Sequence, residues 1–177
     1  MDMLFGLPAH PLLVHVTVVA IPVAAVLAAL LAVFPRLPQL VKVTALVLGL
    51  AGVVLAPLME SSGEALEKRV VRTAAVERHA DLGESLLPWV IGLLAVIVLV
   101  LVADRWLSRA GSAAVGSSRR VAPSPAVART VRVAVAIVAI VVAAGTLVQT
   151  VRIGHSGAQA TWSTPGSTGP TVVQGGR

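Results

Sequence analysis

The chain has no cysteine. That removes disulfides at once, and with them any thiolate nucleophile or thiolate metal ligand. Charge is scarce as well. Asp, Glu, Lys and Arg make up 12% of the 177 residues, about half the share found in soluble domains. Aromatic residues amount to 3%, which leaves few large rings to pack a porphyrin. No Walker loop, dinucleotide fingerprint, G-x-S-x-G elbow or H-E-x-x-H pair is present. These absences argue against an enzyme. The apolar runs also lack the central carboxylate or arginine expected of a pump or transporter.

What the chain does have is apolar length. Hydrophobic residues reach 56% and mean hydropathy is +0.91. A membrane helix needs about 20 mostly apolar residues to cross roughly 30 Å of hydrocarbon. Four runs meet that need, at about 12–34, 41–58, 86–103 and 131–151. The expected fold is all-α, an integral membrane four-helix bundle, with residues 1–160 forming the membrane domain. Residues 161–177, rich in Gly, Ser, Thr and Pro, read as a disordered tail. The first run exceeds the 7–15 residues of a signal-peptide core and follows Asp2 rather than a basic stretch, so it reads as an uncleaved span. Pro22 is expected to kink it.

Between the second and third runs, Ser61 and Glu64 have the spacing of a capping box, and Glu64 and Lys68 that of a favourable ion pair. Residues 61–80 therefore read as a short amphipathic helix, resting on the membrane surface or covering the bundle. Gly111 to Ser118 and Pro123 to Pro125 have linker composition. Trp89 and Trp106 bracket the third run, as interfacial anchors do. Thr17, Thr44, Thr146 and Gln149 read as helix–helix contacts, and Gly49, Gly52 and Gly145 as points of close packing. No internal repeat stands out.

Four spans put both termini and the 59–85 connection on one side of the bilayer. The other side holds Arg36, Lys42, Arg105, Arg109, Arg119, Arg120, Arg129 and Arg132, opposed by Asp104 alone. Short basic loops stay in the cytoplasm. The protein is thus expected in the cell membrane, multi-pass, with both termini extracytoplasmic. The net charge of +6 sits in these connections, so it does not mark a nucleic-acid binder.

All four histidines fall on the side of the termini. His10 precedes the first span and His15 lies about one turn inside it; His79 precedes the third span and His155 follows the fourth. Imidazoles from separate helices can bind a transition metal ion, and a facing pair can hold haem b. His15, His79 and His155 are the expected ligands, with His10 as the fourth. Glu60, Glu77, Asp81 and Glu84 lie on the same side as acceptors that could orient the rings. The function expected from this is electron transfer or metal handling, with the bilayer and a membrane or redox protein as partners. The plainer alternative makes the histidines interfacial hydrogen-bonding groups of a membrane scaffold or subunit.

The stretch from Gly6 to His15, GLPAHPLLVH, resembles the signature of a bacterial family of predicted four-span membrane proteins, domain of unknown function 2231. His79 ahead of the third span and the Gly154–His155–Ser156–Gly157 element after the fourth extend the resemblance over roughly residues 4–160. It implies the four-span fold and, through relatives that accompany Rieske-type iron–sulfur domains, redox work. The chain departs from the pattern after Gly157, where Ala158 to Trp162 replaces a further glycine and a short apolar stretch.

Overall fold

The computed structural model describes residues 3–4, 7–68, 70–116 and 123–162. A short antiparallel pairing of β1 (Met3–Leu4) with β2 (Leu7–Pro8) leads into an otherwise helical molecule. The helices are α1 (Ala9–Val33), α2 (Gln39–Glu67), α3 (Ala74–Glu84), α4 (Leu86–Gly116) and α5 (Pro125–Trp162). Four stretches are long and apolar enough to cross a bilayer: Leu12–Val33, Gln39–Glu67, Ala74–Arg109 and Pro125–Trp162. The protein is an all-α membrane bundle.

Helices α2, α4 and α5 run past the apolar segments that announce them. α2 contains Pro57 and still continues to Glu67. The Ser61 and Ser62 hydroxyls donate to the carbonyls of Leu58 and Met59, one turn back, so neither serves as an N-cap. The helix expected over 61–80 is therefore corrected: its first part is the end of α2, and the amphipathic helix is α3. Thr73 caps α3, its hydroxyl accepting from the Val76 amide at 3.3 Å. Ser124 accepts from the Val127 amide at 3.3 Å, ahead of Pro125 at the first position of α5. The Pro-Ser-Pro stretch is thus a helix start. Residues 111–116, expected as linker, extend α4. Residues 163–177, expected as a disordered tail, lie outside the described residues.

Around the bundle, α1 packs on α2 and α5, α4 packs on α5 and α2, and α1 meets α4 across the diagonal. The core is built from small residues facing larger ones. Ala24, Ala25 and Ala28 share a buried cluster with Leu93, Val96 and Ile97. A Cβ on Gly49 would meet Ile97 at 3.0 Å, and one on Gly52 would meet Ile21 at 3.5 Å. In lipid, where apolar contact alone gives no net gain, such close approach is what holds helices together. The outer faces carry Val19, Leu50, Val98 and Val141, exposed to the surroundings a bilayer would supply.

The buried positions repeat. Ala45, Gly49, Gly52 and Ser62 on α2 match Ala139, Ala143, Thr146 and Ser156 on α5 at one constant offset. Thr17, Ile21, Ala24, Ala28 and Leu31 on α1 match Leu86, Val90, Leu93, Ile97 and Val100 on α4 at another. The α1–α2 and α4–α5 hairpins thus bury corresponding positions, two copies of one packing plan. Side-chain identities mask this repeat: Ala24 and Ala28 occupy the positions that Leu93 and Ile97 fill in the other half.

At the basic end, Lys42 of α2 bonds Asp104 of α4 at 2.7 Å, each side chain 20% exposed. Thr17 and Thr146 are buried but donate to carbonyls of their own helices, Leu13 and Val142. Gln149 instead crosses between helices, donating to the Leu82 carbonyl and the Ser85 hydroxyl at the α3–α4 turn.

Candidate functional site

The end of the bundle opposite Lys42 brings together the start of α1, the end of α2, α3 and the end of α5. His10 projects from α1 onto the last turns of α2, where Nδ1 lies 3.2 Å from the Met59 carbonyl and 3.1 Å from Ser62 Oγ. His79 projects from α3 onto the last turns of α5, with Nδ1 3.0 Å from Ser156 Oγ and a bond to the Ile153 carbonyl. The two arrangements correspond atom for atom. Ser62 Oγ donates to Met59 O at 2.9 Å and Ser156 Oγ donates to Ile153 O at 2.9 Å. Each serine precedes a glycine on which the ring rests. A Cβ on Gly63 would lie 3.2 Å from His10 Cε1, and one on Gly157 3.0 Å from His79 Cε1.

These contacts fix the tautomer. Each serine has spent its proton on a carbonyl, so its oxygen can only accept from the ring, and the neighbouring carbonyl can only accept too. Nδ1 must carry hydrogen in both histidines, which leaves the neutral ring's lone pair on Nε2. Burial holds His10 below its ordinary range. The Met59 carbonyl opposes that shift, and the charge His79 can carry reinforces it.

The other two expected ligands sit differently. His15 is exposed on α1. His155 is exposed on α5, with Nε2 3.1 Å from Gln159 Nε2. Among the described residues, no group of three or more His, Asp or Glu side chains is placed to share a metal ion. The carboxylates expected to orient the rings do not take that role at Nδ1, where serine hydroxyls and main-chain carbonyls serve. Glu77, Asp81 and Glu84 are exposed on the α3 side, and Glu60 is half-buried.

Sequence reasoning missed Ser62 and Gly63, and it noted Ser156 and Gly157 as part of the Gly154–Gly157 element without giving them a role. A signal existed in the Ser-Gly pair ending both returning spans. It lay in spans whose ends had been placed too early.

Two surface hollows among the described residues lie elsewhere. One of about 460 Å³ is lined by Arg129, Thr130, Val133, Ala134 and Ile137. Another, of about 380 Å³, runs between α1 and α5 past Ala25, Ala29, Ala143 and Ala144. Neither is lined by a histidine.

No curated protein and no solved structure matches the chain. One family model does, described as predicted membrane protein (DUF2231), over residues 6–169. With most of its length matched and four helices able to span a bilayer, the chain belongs to the DUF2231 family of predicted membrane proteins.

Proposed function

We propose that the histidine end of this membrane protein is a metal or haem site serving electron transfer or metal handling, and that it faces the extracytoplasmic side. His10 and His79 are its centre, with His15 and His155 on the same end as further candidate ligands. The protein does no bond-making chemistry of its own in this reading; it works with a membrane or redox partner. The orientation rests on the basic residues gathered at the opposite end.

The observation that carries the reading is the shared Nδ1 anchoring of two imidazoles. Metal-ligating histidines almost always give their second ring N–H to a carbonyl, carboxylate or water, which sets the tautomer and the ring's direction. Both rings have that arrangement, and both keep an Nε2 lone pair for a ligand.

A second reading is favoured by the same bonds. They cross from α1 to α2 and from α3 to α5, so the histidines can serve as pegs that close the bundle end of a non-catalytic scaffold or complex subunit. An absorption spectrum and elemental analysis of detergent-purified protein, beside a His10→Ala, His79→Ala double variant, separate the two. A Soret band or about one bound metal per chain, lost in the variant, supports the cofactor site. A colourless, metal-free protein leaves the scaffold.

A further inference from the structure

The two hairpins match in their buried positions but not in length. Matched residues lie at one level: a Cβ on Gly52 would meet both Ile21 at 3.5 Å and Val90 at 3.7 Å. By the same offsets, Val33 at the end of α1 corresponds to Val102, yet α4 continues to Gly116. Gln39 at the start of α2 corresponds to Val133, yet α5 begins at Pro125. The α4–α5 hairpin therefore outreaches its copy at the basic end, by about 20 Å on α4 and about 12 Å on α5. The added turns carry Arg105, Arg109, Arg129 and Arg132, all exposed. Among the described residues, no carboxylate pairs with Arg129 or Arg132.

Arg129 heads a stripe down α5. Arg129, Val133, Ile137, Ile140, Ala144 and Leu147 follow at steps of three or four residues, so they share one face. The first three line the hollow of about 460 Å³, and the last three line the hollow of about 380 Å³ between α1 and α5. From Arg129 to Ile140 is about 16 Å along the helix, half of the roughly 30 Å of hydrocarbon in a bilayer. The stripe thus leads from a cation down the depth of one leaflet. Small residues open the deeper hollow. Of the four alanines that line it, Ala25, Ala29 and Ala144 correspond to Leu94, Val98 and Leu50 at the α2–α4 interface, and Ala143 alone to a smaller residue, Gly49. The shared packing plan does not by itself demand the opening.

Charge decides what such a track takes. An apolar groove alone would suit any lipid tail or helix, but an arginine at its head selects an amphiphile with an anionic end. A guanidinium presents a planar fork of donors that matches phosphate oxygens. Basic pockets between membrane helices take anionic lipid headgroups. We infer that this track binds one anionic phospholipid of the surrounding leaflet, its phosphate on Arg129 and an acyl chain in the α1–α5 hollow. Thr130 Oγ1 donates its proton to the Ala126 carbonyl at 3.0 Å, which leaves the oxygen to accept from a headgroup hydroxyl. The site is at the end opposite the histidines and stands whatever their role.

The test is native mass spectrometry of the full chain released from detergent, with phosphatidylglycerol and phosphatidylcholine of equal acyl chains as probes. One phosphatidylglycerol per chain should be retained in preference to phosphatidylcholine. Arg129→Gln should cut that preference about fivefold, the weight of one cation at an anionic surface, whereas Arg109→Gln should leave it nearly unchanged. Ala144→Leu gives α5 the residue that α2 has at Leu50. Ala144 is exposed, so helical melting curves should not move, yet retention of both lipids should fall. Equal retention of the two lipids overturns the inference. So does a loss shared by Arg109→Gln and Arg129→Gln, which would be diffuse attraction to the basic end. Inorganic phosphate that blocks the lipid would make this a free-anion site, and a dimer abolished by Ala144→Leu would make it a helix interface; either result overturns the lipid.

Discussion

Trp89 packs against the bare α-carbon of Gly145, so close that a Cβ there would overlap the indole ring. The contact joins the first turns of α4 to the middle of α5 and sits one turn from Gln149, which ties α5 to the α3–α4 turn. Trp89 keeps 37% of its surface exposed, so it is both an interfacial residue and a packing residue. Gly145→Ala should lower stability by about 1–3 kcal/mol, the usual range for overpacking. Trp89→Leu should remove most of that penalty in the double variant. Thermal melts of the four proteins in detergent check it; additive effects would mean that the ring escapes freely.

The repeated contacts predict matched responses at unlike places in the sequence. Ser62→Ala and Ser156→Ala each remove one ring acceptor and should each cost about 0.5–1.5 kcal/mol. Gly63→Ala and Gly157→Ala push the rings of His10 and His79 by a few tenths of an ångström, so they should perturb the imidazole NMR signals with smaller losses. A large effect in one half and none in the other would contradict the equivalence of the half-sites.

At the far end, Lys42 and Asp104 form a 2.7 Å ion pair with both side chains 20% exposed. Removing either partner strands the other charge, at a cost of about 1–3 kcal/mol, between the values for exposed and fully buried pairs. The Lys42→Met, Asp104→Leu double variant should recover much of the loss, because no charge is then left unpaired. A double-mutant cycle on unfolding measures this directly.

The His10 ring, held below its ordinary 6.5 chiefly by burial, makes stability pH-dependent in the metal-free protein. In the unfolded chain the ring titrates near 6.5. Below that pH the unfolded state takes up a proton that the folded state resists. Stability present above that pH is therefore lost as pH falls through the folded value, and then levels off. Melts between about pH 7.5 and about pH 5, above the carboxylate range, should show the drop. His10→Gln should flatten it, and an unchanged slope would assign the effect to other groups.

The natural absence of cysteine gives a clean test of orientation. Val71, 82% exposed between α2 and α3, is on the histidine end, and Arg36 is exposed in the α1–α2 connection. On intact cells, a membrane-impermeant maleimide should label Val71→Cys and spare Arg36→Cys until the membrane is opened. The opposite pattern would turn the protein over.

Much of the fold is legible in the sequence, because membrane helices are announced by unbroken apolar length. Gly49, Gly52 and Gly145 were legible as contact points, since small residues in such helices mark close approach. Helix ends were not. Ser61 and Glu64 look like a start, but their place in α2 depends on hydroxyls bonding backward, which residue spacing does not encode. The partners of the histidines were sought among carboxylates, whereas His10 and His79 bond to hydroxyls and main-chain oxygens. Polar chemistry at a membrane surface draws attention to charge, whereas here the acceptors are hydroxyls and main-chain oxygens.

The sequence by itself determined that this chain lives in a bilayer and carries four helices able to cross it, because hydropathy needs no knowledge of packing. The tertiary structure alone decided which histidines are held and by what. It also revealed that the two hairpins are copies, with Ala24 and Ala28 in one half standing where Leu93 and Ile97 stand in the other. The reason is physical: a packing plan is conserved in which positions face inward and how closely helices approach. Those are properties of paired surfaces, and a single strand of letters carries only one side of each pair.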